Sequence, residues 1–289
     1  MTEVTFTPQP TADGSFTFFS PEFEEAFHSH FGARREAEEK FVEPCRLKEI
    51  ALSRDRVQIL DICYGLGYNS AAALHAIGSV NPHCRVELIA LECNRLVPQR
   101  AIARDLLQQW NAPIPSHLQT LAESHHIQTP TLDARLLIGD ARTTLQQVRA
   151  SGFQADAIFL DPFSPPKCPQ LWTIEFLQGI VRCLKPTGIL ATYSSAAATR
   201  ATLVRVGLHV GSTPSTGRRS PGTVASFDPQ YLPPLSQRER EHLQTRAATP
   251  YRDPQLNATA EEILKNRDRE RQASPLEPTT RWKRRWRTP

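Results

Sequence analysis

The sequence predicts an α/β protein built on a Rossmann-like, mostly parallel sheet with helices on both faces. Three observations carry this. From residue 57 onward, short apolar strands alternate with helices of about 10–15 residues, the pattern of a covered parallel sheet. The first of these strands runs into a glycine turn, Gly65-Leu-Gly67. The next strands deliver acids at or just beyond their ends: Glu92, Asp140 and Asp161. Right-handed crossovers would make the sheet doubly wound. Ligands in such sheets bind beyond the carboxyl ends of the strands.

The elements follow in order. Residues 4–19 are β-prone around a turn at Asp13-Gly14 and predict a hairpin. Residues 21–52 carry apolar positions at helical spacing, with a break expected at Pro44. Strand 57–62 leads through the glycine turn into an alanine-rich helix, 69–77. Strand 85–91 and helix 96–110 come next, then a stretch, 111–131, expected to be mostly loop and short helix. Strand 134–138, helix 141–150, strand 155–160 and helix 170–184 continue the alternation. Strand 188–193, helix 196–205 and strands at 208–210 and 222–227 complete it. Pro229, Pro233 and Pro234 mark a linker, with polar helices expected at 236–245 and 259–271. The division expected is an N-terminal hairpin and helical extension (1–52), a Rossmann-like domain (53–228) and a helical, basic C-terminal tail (229–289).

Composition excludes several classes. At 39% hydrophobic and 22% charged the chain is globular in character. It has no apolar run of about 18 residues and no basic-then-apolar start, so neither a membrane span nor a secretory signal is expected, and the cytosol is the default location. Cysteines 45, 63, 84, 93, 168 and 183 form no Cys-x-x-Cys pair and are expected to be buried or incidental thiols; no metal is expected. His125 and His126 are expected in a surface loop. Net charge is +4, yet the last nine residues alone carry Arg281, Lys283, Arg284, Arg285 and Arg287 without an acid. This block is either a solvated end or a phosphate-and-stacking contact for RNA.

The strand ends hold the chemistry. Asp61-Ile-Cys-Tyr64-Gly65-Leu-Gly67 lets the backbone turn sharply against a ligand. The third glycine of the dinucleotide fingerprint is replaced by Ser70, which argues against a pyrophosphate cofactor. Glu92 stands where a carboxylate can accept from both hydroxyls of an adenosine ribose. Asp140 is an N-cap residue that could also accept from an adenine amino group. Leu160-Asp161-Pro162-Phe163 is the most informative segment. Small and apolar residues deliver a carboxylate, Pro162 stiffens the backbone behind it, and Phe163 suits a flat substrate. Asp161 could orient an amine and take its proton as the amine attacks a sulfonium methyl.

Leu160-Asp-Pro-Phe-Ser-Pro-Pro-Lys-Cys-Pro-Gln-Leu-Trp172, followed by Gly188-Ile-Leu-Ala-Thr-Tyr-Ser-Ser-Ala, Val206-Gly-Leu-His-Val and Gly217-Arg-Arg, resembles the methyltransferase domain of the tRNA 5-methylaminomethyl-2-thiouridine biosynthesis (MnmC) family over roughly residues 13–227. The resemblance implies a stand-alone S-adenosylmethionine-dependent enzyme that methylates the amine of 5-aminomethyluridine at the tRNA wobble position. It implies that Asp61, Tyr64, Gly65, Gly67, Glu92 and Asp140 serve the cofactor and that Asp161 serves the amine. Pro162, Phe163, Lys167, Arg218 and Arg219 are then the expected substrate contacts, with tRNA as partner. No flavin fingerprint is present, so neither FAD nor the oxidase activity of two-domain relatives is expected. The segment Gly217-Arg-Arg-Ser-Pro-Gly222 departs from the family's usual Gly-Arg-Lys-Arg-Glu-Met, and Cys168 stands where Asn is common. Two other readings stay open: a methyl- or aminopropyltransferase for a small amine, and a non-catalytic RNA-binding protein that keeps the fold.

Overall fold

The computed structural model describes residues 6–215 and 220–286. The N-terminal extension opens with two small hairpins and turns helical only from Ala33. β1 (Gln9–Pro10) pairs antiparallel with β2 (Phe16–Thr17) around the predicted Asp13-Gly14 turn, but only over two residues each. A second small hairpin, β3 (Phe19–Ser20) with β4 (Glu25–Ala26), occupies part of the stretch expected to be helical. Helix begins later, at α1 (Ala33–Ala37), and continues as one π turn over Glu38–Val42. Pro44 separates that run from α2 (Leu47–Ser53), as its missing amide hydrogen requires. The apolar spacing of 23–27 misleads because its phenylalanines form an aromatic cluster rather than a helix face: Phe27 packs edge-on to Phe6 and Phe18.

The core is one eight-stranded sheet. Its strands are β5 (Arg56–Ile62), β6 (Arg85–Glu92), β7 (His126–Gln128), β8 (Leu132–Ile138), β9 (Ala155–Leu160), β10 (Leu184–Thr192), β11 (His209–Ser212) and β12 (Thr223–Ser226), in the order β11-β12-β10-β9-β5-β6-β8-β7. β7 and β12 run antiparallel to the other six strands. The chain runs outward from β5 to β6 and β8, then crosses back to β9 on the other side of β5. That reversal opens a crevice between β5 and β9, where open α/β sheets bind ligands. Every residue of β9 is buried, which explains why it reads as an unbroken apolar strand.

Helices α3 (Tyr68–Val80), α4 (Leu96–Ala103), α5 (Ile114–Ser124), α6 (Ala141–Ala150), α7 (Ile174–Val181) and α8 (Ala197–Arg205) cover the sheet. Several ends are set by local chemistry. Asp140 accepts from Arg142 N at the start of α6, and Thr173 accepts from Phe176 N at the start of α7. The stretch expected to be mostly loop contains eleven-residue α5. His125 closes that helix in the left-handed conformation and His126 opens β7, so the pair marks a helix end rather than a loop.

The C-terminal region packs onto this core through α9 (Gln237–His242), α10 (Ala260–Ala273) and α11 (Thr279–Arg285). Arg142 donates to Asp253 at 2.9 Å, Arg252 to Glu175 at 2.7 Å, and Ile263 is fully buried. The basic block is folded as far as it is described: Trp282 is buried and stacks on His242 at 4.0 Å. Arg285 pairs with Glu241 and Glu277. Arg200 on α8, only 2% exposed, donates to Thr223, Ser212, Gly222 and Glu239, joining α8, both outer strands and α9. Among the described residues, no helix is long and apolar enough to cross a membrane.

Candidate functional site

A cavity of ≈ 330 Å³ opens at the carboxyl ends of β5, β6, β8 and β9. The strand ends are tied together by backbone bonds, Cys63 N and Tyr64 N to Leu91 O, Gly139 N to Glu92 O and Asp161 N to Ile62 O. These bonds hold the four post-strand turns around one space. A roof comes from the N-terminal extension: Phe23, Phe27 and Glu25 all line the cavity. Phe23 stacks on Phe163 at 4.4 Å and Phe27 meets the same ring edge-on at 5.0 Å. Glu25 accepts from Ser164 N at 3.0 Å and Glu24 from Lys167 at 2.6 Å, which latches the roof to the loop after β9.

The first turn is shaped by backbone more than by side chains. Cys63, Gly65 and Gly67 all have positive φ, at 70°, 55° and 88°. A Cβ on Gly67 would stand 2.5 Å from Tyr64 Oη, so only glycine lets the turn close over that buried ring. Gly65 lines the cavity, and its N–H donates to Glu92 Oε2 at 2.8 Å. The other Glu92 oxygen accepts from Asn94 N at 2.9 Å. Burial pushes the Glu92 carboxyl above its usual range, although these hydrogen bonds oppose the shift. Oε1 also accepts from Cys93 Sγ at 3.5 Å, so it is Oε2 that retains a second acceptor position for a ligand hydroxyl.

Of the residues expected to serve a cofactor, Gly65, Glu92 and Asp140 line the cavity, whereas Asp61, Tyr64 and Gly67 stand behind it. Asp140 is held below its ordinary value because the guanidinium and N–H of Arg142 outweigh its burial. Asp61 is fully buried and accepts from Ser70 Oγ at 2.7 Å, while its Oδ1 has no hydrogen-bond partner among the described residues. Burial, opposed by Ser70 and aided by the nearby Glu92 charge, raises Asp61 to about 7. The folded chain therefore keeps a proton that the unfolded chain releases near pH 4. Stability is expected to fall by about 3–4 kcal/mol as pH rises from about 4 to about 7. Urea midpoints across that range should show a shallower decline for Asp61→Asn than for the wild-type protein; parallel curves would assign the slope elsewhere.

Among the expected substrate residues, Asp161, Pro162 and Phe163 line the cavity. Asp161 Oδ2 accepts from Asn69 Nδ2 at 2.8 Å, and Pro162 O accepts from Tyr193 Oη at 2.9 Å. Lys167 lies outside the cavity lining, paired with Glu24. Arg218 and Arg219 lie outside the described residues. Sequence reasoning missed Asn69 and the roof, and of the cysteines expected to be buried or incidental Cys63, Cys93 and Cys168 line the cavity. The signal for the roof was its run of phenylalanines and glutamates, Glu22-Phe-Glu-Glu-Ala-Phe27, where charge and aromatics are mixed too evenly for an amphipathic helix. Five carboxylates line the crevice (Glu22, Glu25, Glu92, Asp140 and Asp161), with no Lys, Arg or His among the described lining residues. This charge favours a cationic group inside the crevice and disfavours a phosphate seated there.

A family model described as S-adenosyl-L-methionine-dependent methyltransferase matches residues 99–228. The crystal structure of MNMC2 from Aquifex aeolicus is similar to this chain at 35% identity and a TM-score of 0.82, covering 94% of this chain and 87% of that one. The uncharacterized protein MJ0670 of Methanocaldococcus jannaschii is 28% identical over 91% of this chain and 71% of its own. The tRNA 5-methylaminomethyl-2-thiouridine biosynthesis bifunctional protein MnmC of Acidovorax sp. is 29% identical over 76% of this chain, which spans 35% of that protein's length.

Proposed function

Since the chain belongs to the S-adenosyl-L-methionine-dependent methyltransferase family that includes MNMC2 of Aquifex aeolicus, we propose that it methylates the amine of 5-aminomethyluridine at the tRNA wobble position, yielding 5-methylaminomethyluridine. The observation that carries the reading is the juxtaposition of Asp161 with an aromatic wall, Phe23, Phe163 and Tyr193, in a cavity lined by carboxylates. A pyrimidine ring fits against the aromatic face while its aminomethyl arm reaches the carboxylate. The similarity to a protein of tRNA 5-methylaminomethyl-2-thiouridine biosynthesis supports this substrate.

S-adenosylmethionine supplies an electrophilic methyl on a sulfonium. The residues present suit it: Glu92 would take the ribose hydroxyls, the Gly65 turn gives close backbone approach, and Asp140 stands toward the adenine end. Asp161 accepts a hydrogen bond from the amine and directs its lone pair. As the N–C bond forms and the S–C bond breaks, the proton leaves nitrogen for Asp161. Phe163 and the roof hold the base and keep water from the reacting atoms. No metal or redox step is needed, because the transfer is governed by in-line placement.

The test is transfer of labelled methyl from S-adenosylmethionine to tRNA carrying the free aminomethyl group, read by mass analysis of the wobble nucleoside. Label in that nucleoside, and none in tRNA lacking the aminomethyl group, is the expected result. Methylation of a polyamine with none of tRNA would replace this reading with the small-amine one. A separate expectation concerns the ribose contact. Glu92→Gln sets an amide N–H₂ against Gly65 N–H or Asn94 N–H and should weaken S-adenosylmethionine binding about 10- to 100-fold by calorimetry. Unchanged affinity would move the ribose away from Glu92.

A further inference from the structure

Asn69 lies in the first turn of α3 and is 3% exposed. Its amide nitrogen donates to Asp161 Oδ2 at 2.8 Å, across 92 residues of sequence. Its amide oxygen is buried with no hydrogen-bond partner among the described residues. A buried acceptor left in that state is a net cost to the fold. Turning the amide over would not repair this, because its oxygen would then face the Asp161 carboxylate. The position of Asn69 is itself constrained, since Gly67, two residues earlier, closes over Tyr64 with no room for a side chain. Its neighbour Ser70 donates to Asp61, so consecutive residues of one helical turn hold the carboxylates of two adjacent strands.

We propose that Asn69 is a positioning residue for Asp161, holding its carboxylate in one orientation and in the ionised form that can receive a proton from the amine. The proposal rests on the role given to Asp161 under Proposed function. A hydrogen bond donated to a carboxylate favours its charged form. An amide provides that bond without adding positive charge beside a cationic methyl donor. The titratable groups that share the space are Cys63 from the β5 turn, Glu92 and Cys93 beyond β6, Asp140 beyond β8, Cys168 from the loop after β9, Glu25 and Glu22 from the roof, and Tyr193 beyond β10. The carboxylates among them line the same cavity as Asp161 and place like charge around it.

The experiment follows the Asp161 carboxyl carbon by NMR in protein labelled with ¹³C-aspartate, the signal being assigned by its loss in Asp161→Asn. In Asn69→Ala its titration midpoint should rise by about one pH unit, and in Asn69→Asp by more, because a second carboxylate then faces it. Turnover should fall about tenfold in Asn69→Ala, with the acid limb of its pH profile moved upward and the KM for S-adenosylmethionine little changed. Asn69→Asp is isosteric and keeps the measurement available if the alanine variant does not fold. A purely structural role would lower the melting temperature while leaving midpoint and limb in place, and that result overturns the proposal. Full turnover in Asp161→Asn would instead overturn the role given to Asp161, and the carbon titration would still decide whether Asn69 governs its ionisation.

Discussion

Asp161→Ala is expected to lower methyl transfer about 10²- to 10⁴-fold, the range in which a positioned proton acceptor contributes. Asp161 lies immediately after a fully buried strand, and its N–H is bonded to Ile62 O at 3.1 Å. The backbone therefore cannot drift to let another group substitute for it. Its side chain lines the cavity beside Phe163, while the ribose-facing candidate Glu92 comes from a different strand. Affinity for S-adenosylmethionine should consequently stay within about threefold of wild type, the signature of an interaction used in the transition state rather than in ground-state binding. Single-turnover rates and calorimetry on the same variant separate the two quantities. Retained turnover, or a parallel collapse of affinity, would remove Asp161 from the role.

The second large effect concerns stability. Glu239 does two jobs with one carboxylate. Oε2 accepts from Ser236 N and Oγ, closing the capping box of α9. Oε1 accepts from Arg200 and from Ser212 Oγ, both at 2.7 Å. Burial pushes this carboxyl up, but the hydrogen bonds from Ser212, Ser236 and Arg200 win and hold it at about 2. Its folded value lies below the ordinary one, so its contribution is fully present above about pH 4.5 and is lost as pH falls toward 2. Glu239→Ala leaves a 2%-exposed guanidinium without its counter-charge. Breaking such a pair from one side costs about 3–5 kcal/mol, which for a chain of this size lowers the melting temperature by roughly 10 °C. The loss should shrink as pH approaches 2. A change below about 0.5 kcal/mol at neutral pH would show that Arg200 is satisfied by Thr223, Ser212 and Gly222 alone.

The strands and the acids at their ends were legible because they are local. A buried parallel strand has to be a short apolar run, and the residue after it has to face the crevice. Glu92, Asp140 and Asp161 follow from that geometry. Asn69 does not, because its meaning is a bond to a residue 92 positions away, and nothing in the helix period of α3 marks it. Lys167 was expected to face RNA, yet its partner Glu24 is 143 positions earlier, in a segment whose spacing imitated a helix. Asp61, Tyr64 and Gly67 belong to the expected turn but support it from behind. The basic C-terminal block gave no hint that Trp282 would stack on His242, since net charge does not report which indole is buried.

The ring of acids around the crevice also bears on what happens after the reaction. Glu22, Glu25, Glu92, Asp140 and Asp161 surround the place where, under the proposed assignment, a positively charged sulfur would sit. Methyl transfer neutralises that sulfur and releases a proton to a carboxylate. The same field would then have less to hold, so under that assignment the charge of the pocket works against keeping the neutral, spent donor in place.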